Sequence, residues 1–213
     1  MTNEEIQLIL DTPTEEIKIC TDESIFKVNC EPIDLETGEK IALKLFDILS
    51  FQGGVALSAN QIGIPYRVCV VNVNIPFHFI NPLMYDGEGD IIYIEGCLSY
   101  PGKLINTRRF STIKVQSDNN EDDLYWDLSY VKPKDVLNDK HVLEIIAVQH
   151  AISLLDGHSM YDFEYKLVPY VSEPTIGRNE KIWVTDGNSS IEIKYKRLNE
   201  YTEKGFSIVE NNG

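Results

Sequence analysis

The sequence predicts an α+β fold with one buried helix and a small C-terminal ββα appendage, and three observations carry that prediction. Residues 145–155, IIAVQHAISLL, are apolar on nearly every side of a helix, and a helix without a polar face must be enclosed. Between residues 65 and 131, β-prone runs such as PYRVCVVNV and IIYIEG alternate with turn-forming stretches such as DGEGD and NNEDD, the pattern of short strands. Near the end of the chain, KIWVTDGNSSIEIKYK places two alternating runs around an Asp-Gly pair, which marks a hairpin.

The elements follow in order. Residues 34–51 repeat Ile41, Leu45, Ile48 and Leu49 at helical spacing, so an amphipathic helix is expected there, ending near Gln52-Gly53-Gly54. GGVALSANQIG is a small-residue segment bracketed by turn signals, and PYRVCVVNV is a strong strand. INPLMYDGEGD (80–90) reads as a strand then a turn, and IIYIEG as a strand closing into the loop EGCLSYPG. RRFSTIKVQS (108–117) is expected to be one continuous strand, with LYWDLSYV as its partner and KPKDVLNDK as a polar loop. The buried helix comes next, capped by Asn138 or Asp139 and stopped at Gly157. Its Gln149 and His150 need polar partners inside an apolar setting. In the appendage, the hairpin is followed by RLNEYTEK, a short helix stopped by Gly205. The expected division is a main domain over 1–172 and a linker plus appendage over 173–213.

The chain has 213 residues and a net charge of −15, with a pI near 4.6. A phosphate backbone is bound by a basic surface, so a nucleic-acid partner is excluded. No signal peptide and no spanning segment is visible, which gives a cytoplasmic protein with no membrane partner. Cys20, Cys30, Cys69 and Cys97 form no CxxC pair, and a cytoplasmic chain keeps them reduced. Cys97 stands out because it lies in a loop, EGCLSYPG.

The buried helix also raises a chemical question. A hydrolytic metal helix offers two histidines four residues apart, with a glutamate after the first. Here VQHAISLLDG has His150, then Ala151, and Leu154 at the fourth position. Three segments answer it: GVALSANQ (54–61), EGCLS (95–99) and QHAISLLDG (149–157). In order and spelling they resemble the peptide deformylases, whose motifs run GxGxAAxQ, EGCLS and QHExDHLxG. The resemblance spans roughly residues 10–170, including INP and Asp162. It implies antiparallel strands around a central helix. It also implies a metal-dependent hydrolase that removes the formyl group from N-terminal formyl-methionine, using Fe²⁺ or Zn²⁺ held by one cysteine and two histidines.

Carried over by position, Cys97 and His150 match two of the metal ligands. Gln61 matches the oxyanion glutamine, and Leu98 the residue whose backbone N–H assists it. Gly54, Val55 and Gly96 match positions where backbone meets the substrate peptide, while Glu95 and Ile146 match the wall of the methionine pocket. Ala56 and Ser58 are small replacements in motif one. Ala151 replaces the proton-shuttling glutamate, Leu154 the second histidine and Ser153 the intervening aspartate. Catalytic metal sites keep three protein ligands and an open position, and two remain. His158 lies about 12 Å further along the axis and Asp156 is rotated about 240° away.

The resulting expectation is a pseudoenzyme that binds an N-terminal methionine peptide or a protein partner, with the ribosome or a phage assembly as settings. No tightly bound cofactor is expected, with Fe²⁺ or Zn²⁺ if the site still functions. Two alternatives stand beside it: an active deformylase with an atypical ligand set, and a structural subunit of a phage. A phage origin would place the chain in the host cytoplasm or the virion. The phage reading draws on the appendage, where Trp183, Gly187, Tyr201, Gly205 and Phe206 resemble a short W-x-x-(D/N)-G…Y-x-x-x-G-aromatic module attached to bacteriophage proteins.

Overall fold

The structure, a computed structural model, describes residues 1–132, 135–166 and 179–209. It divides into two compact units, Met1–Leu167 and Val168–Gly213. The expected linker from residue 173 begins outside the described residues. Among those residues, no helix is long and apolar enough to cross a membrane.

The first unit begins with α1 (Asn3–Asp11), which the sequence reading did not identify; Thr2 and Glu5 form a capping box at its start. The amphipathic helix is α2 (Leu35–Gln52), opened by the Asp34 side chain accepting from Thr37 N and closed by Gly53 at φ 76°. A left-handed residue at that point is what a helix stop requires, and glycine adopts it without strain. Its apolar stripe, including Ile41, Leu45 and Ile48, packs on one side of a three-stranded antiparallel sheet of order β1-β2-β3. These strands are Ala56–Ser58, Val68–Val71 and Phe77–Ile80. Strand β2 explains its own composition. Val68 and Val70 pack in the cluster with α2, and Cys69 and Val71 pack in the cluster with the central helix, so all four are buried.

At Gly38, α2 lies so close to β3 that an added Cβ would stand 2.8 Å from Ile80 Cγ2. Gly38→Val is therefore expected to destabilise the protein by about 2 kcal/mol through overpacking, read as a lowered urea midpoint with unchanged slope.

The central helix is α3 (Lys140–Leu155), with Asp139 accepting from His141 N at 2.8 Å and eleven of its residues buried. Around it stand a second antiparallel sheet, β4-β7-β8 (Leu83–Glu88, Thr112–Gln116, Leu124–Asp127), and the hairpin β5-β6 (Ile91–Gly96, Leu104–Arg109). The single strand expected over 108–117 is instead broken at Phe110-Ser111. Gln149, from α3, accepts from Phe110 N and donates to Phe110 O, both at 2.9 Å. A residue whose backbone is satisfied by a helix side chain has nothing left for a strand ladder, so β6 and β7 part there.

In the second unit, β9 (Lys181–Thr185) and β10 (Ser190–Lys194) form the expected hairpin, and α4 (Leu198–Thr202) follows. Gly187 and Gly205 take positive φ at the turn and at the helix stop. A two-residue strand, β11 (Ser207–Ile208), then adds to the free edge of β9, giving a ββαβ unit rather than ββα. Ile182, Val184 and Ile193 form its core with Tyr201 and Phe206 against them.

Candidate functional site

The site assembles where the first motif is fastened to the end of α3. After Gly53 the chain enters β1, then one 3-10 turn over Ala59–Ile62. Ser58 Oγ donates to Ala151 O at 2.9 Å, and Asn60 Nδ2 donates to Leu154 O at 2.7 Å. Gln61 Oε1 accepts from Ser58 N at 3.0 Å, which fixes the amide orientation. Its Nε2 is thereby aimed at Ser99 Oγ (3.1 Å) and the Cys97 sulfur (3.6 Å).

The second motif arrives on β5. Alternation along the strand turns Glu95 inward, where it is 3% exposed. Arg109 Nε donates to Glu95 Oε1 at 2.6 Å and Arg109 Nη2 to Oε2 at 2.9 Å, a two-pronged pairing inside the protein. Thr107 Oγ1 also donates to Oε1, and His150 Nδ1 lies 2.7 Å from Oε2. Arg109 further donates to Ser153 Oγ at 3.0 Å and lies over the Phe163 ring. Burial alone would push the Glu95 carboxyl up; the hydrogen bonds and charges of His150 and Arg109 outweigh it and hold it at about 2.

With Nδ1 engaged by Glu95, the rest of the His150 ring serves Cys97. Burial disfavours charge on His150, yet the Cys97 thiolate and the Glu95 carboxylate beside it prevail and raise it to about 9. For Cys97 burial raises the thiol, while His150 and the Ser99 N–H bring it below the usual range.

These groups lie in an open cleft of about 600 Å³. Its lining includes Gly54, Val55, Gln61, Glu95, Gly96, Cys97, Leu98, Ile146 and His150, so the structure gathers every expected site residue except the two departures. An added Cβ at Gly54 would stand 3.0 Å from the Cδ1 methyls of both Leu49 and Leu98, so a side chain there would require both leucines to give way. Glu95 lines the cleft, and its carboxylate is in addition held by Arg109, Thr107 and His150.

Ala151 and Leu154 are each 1% exposed and lie outside the lining. Leu154 packs with Phe26, Tyr100 and Met160, and Cys97 rests against that cluster. Position 154 is thus filled by an isobutyl group within the apolar cluster that Cys97 packs against, where the resemblance implies an imidazole. Of the two candidate substitute ligands, Asp156 accepts from Arg67 Nη1 at 2.7 Å and the His158 ring meets Phe163 edge-on, and neither lines the cleft. Among the described residues no group of three or more His, Cys, Asp or Glu side chains is arranged to hold a metal ion. The iron or zinc of the resemblance needs three such donors, so the residues present do not fit it.

The sequence reading missed Thr107 and Arg109. Their signal was alternation: both face inward on β6, two residues apart, and an inward arginine on a strand requires a buried carboxylate to meet it.

Three comparisons bear on this arrangement. The family model described as polypeptide deformylase matches residues 15–166. The peptide deformylase of Aquifex aeolicus is 35% identical over 118 residues, covering 52% of this chain; the match spans 62% of that protein's own length. The peptide deformylase of Buchnera aphidicola from Acyrthosiphon pisum (strain Tuc7) is 32% identical over 176 residues, covering 81% of this chain and 84% of its own. In fold, the chain is similar to the crystal structure of a probable peptide deformylase from synechococcus phage S-SSM7. The TM-score is 0.56 at 23% identity, covering 70% of this chain and 99% of the other.

Proposed function

This chain belongs to the polypeptide deformylase family, and on that premise we propose that it is a non-hydrolytic member that holds the N-terminal segment of a peptide or protein in its cleft. The observation that carries the proposal is Leu154 buried with Phe26, Tyr100 and Met160 in the apolar cluster that Cys97 packs against. Deformylation requires a cation to polarise the formyl carbonyl and activate water, and a carboxylate to move the proton. Position 154 supplies no donor and position 151 no carboxylate. The parts that support binding remain: the glycine-lined wall, the oriented Gln61 amide and the apolar Ile146 side.

The test uses protein purified without oxygen, its metal content and formate release from formyl-Met-Ala-Ser measured on the same sample. The expected result is no formate above the buffer rate, together with saturable binding of the peptide. One firmly held iron or zinc ion per chain, with turnover, overturns the proposal.

A further inference from the structure

We propose that Cys97, His150 and Gln61 form a metal-free acyl-transfer centre, in which the Cys97 sulfur takes an acyl group from an activated ester or thioester and keeps it as a thioester. This goes beyond the peptide-holding reading and does not rest on it. The starting point is the donor set. With leucine at 154, no group of three or more His, Cys, Asp or Glu side chains among the described residues is arranged for a metal ion, and a catalytic ion needs three protein donors. The sulfur and the imidazole are instead hydrogen-bonded to each other. Cys97 is part-exposed, and it lines the open cleft beside His150 and Gln61.

A thiol becomes an effective nucleophile when a base stands against it and a third group holds that base. Here the His150 ring is held through Nδ1, 2.7 Å from Glu95 Oε2, and Glu95 is itself fixed by the two-pronged contact from Arg109. The ring cannot swing away from the sulfur without breaking that contact. Gln61 supplies the remaining part. Ser58 N donates to its Oε1 at 3.0 Å, so Nε2, 3.6 Å from the sulfur, is presented as a donor where the oxygen of an attacked carbonyl gathers charge. The other cysteines lack these surroundings. Cys30 and Cys69 are buried, and Cys20, part-exposed like Cys97, has Asp22 near it where Cys97 has an imidazole.

In the reaction, His150 takes the thiol proton and the sulfur attacks the carbonyl carbon. The new C–S bond forms, the bond to the leaving oxygen or sulfur breaks, and His150 returns the proton to that leaving group. The products are an acyl thioester on Cys97 and a free alcohol or thiol, with no change of oxidation state. Activated esters and thioesters have weakly basic leaving groups, which suits a centre whose only acid is an imidazole.

The experiment treats the intact, reduced chain with p-nitrophenyl acetate, following nitrophenolate release by absorbance and the acetylated cysteine by peptide mass mapping. A burst of one nitrophenolate per chain is expected, with acetyl appearing on Cys97 at least about 100-fold faster than on Cys20. Cys97→Ser is expected to abolish the burst. His150→Ala is expected to slow it by a similar factor, with added imidazole restoring part of the rate. Acetylation of Cys97 no faster than that of Cys20 overturns the inference, and this comparison depends on no variant folding. So does an undiminished burst in His150→Ala. Either result leaves the peptide-holding reading intact, whereas the expected burst without saturable binding of formyl-Met-Ala-Ser overturns that reading alone.

Discussion

Glu95→Ala lowers the unfolding free energy by about 3–5 kcal/mol, the range for removing one partner of an enclosed ion pair. The cost does not come mainly from lost attraction. Arg109 is 3% exposed, and without the carboxylate its Nε and Nη2 donors have no acceptor and no water to replace it. His150 loses the group that fixes its ring, and Thr107 loses its hydroxyl acceptor. Glu95→Gln keeps the shape and one acceptor oxygen, so a smaller loss is expected. Replacing both charged partners, Glu95→Leu with Arg109→Met, recovers part of the deficit because no charge is then stranded. Urea unfolding of the four proteins tests this; a Glu95→Ala cost below about 1 kcal/mol contradicts the reading of this carboxylate as the site's anchor.

The same group sets an acid limit. Its folded value, about 2, lies below the ordinary 4.5, so the unfolded chain binds the proton more readily. The carboxylate's contribution is complete above about pH 4.5 and is lost as pH falls through about 2. In Glu95→Ala this acid limb flattens, while stability at neutral pH is already reduced.

What the sequence disclosed follows the range of the forces involved. Helices α2 and α3 were legible because each carries its own signal: an apolar stripe with Asp34 and Gly53 at the ends of one, and an all-round apolar surface with Asp139 and Gly157 flanking the other. Helix α1 was not, since its single fully buried residue, Ile6, makes no repeat. The break between β6 and β7 was invisible locally. RRFSTIKVQS is a sound strand by propensity, and Gln149, 39 positions from Phe110, is what interrupts it. In the site, Cys97, His150 and Gln61 were found by motif position, whereas Arg109 depended on knowing which face of β6 looks inward. Strand β11 has two residues, too few for any alternation to register. The pairing of Glu95 with Arg109 was hidden for the same reason: neither partner points to the other in the sequence.

Ala151→Glu combined with Leu154→His restores a bound divalent metal ion and formyl-methionine hydrolysis, and neither change alone restores turnover. Position 154 is the decisive one for the metal. The leucine there belongs to the apolar cluster that Cys97 packs against, and an imidazole at this position is expected to complete a set of three with Cys97 and His150. Metal-free, the histidine variant loses the burial of a leucine among Phe26, Tyr100 and Met160, a cost of about 2–4 kcal/mol. Loading reverses this, because an ion that binds only the folded state stabilises it by about 4 kcal/mol at a thousandfold excess over its dissociation constant. Chelator therefore lowers the melting temperature of the double variant and leaves the natural chain unchanged. Loading should also weaken at acid pH, since the ion must displace the protons of His150 and Cys97. Glutamate at 151 alone buries a carboxylate with no cation to meet it, and histidine at 154 alone leaves bound water without a proton acceptor. Metal content by atomic emission and formate release decide the matter. A double variant that folds yet stays free of metal shows that more than two side chains separate this cleft from a working hydrolase.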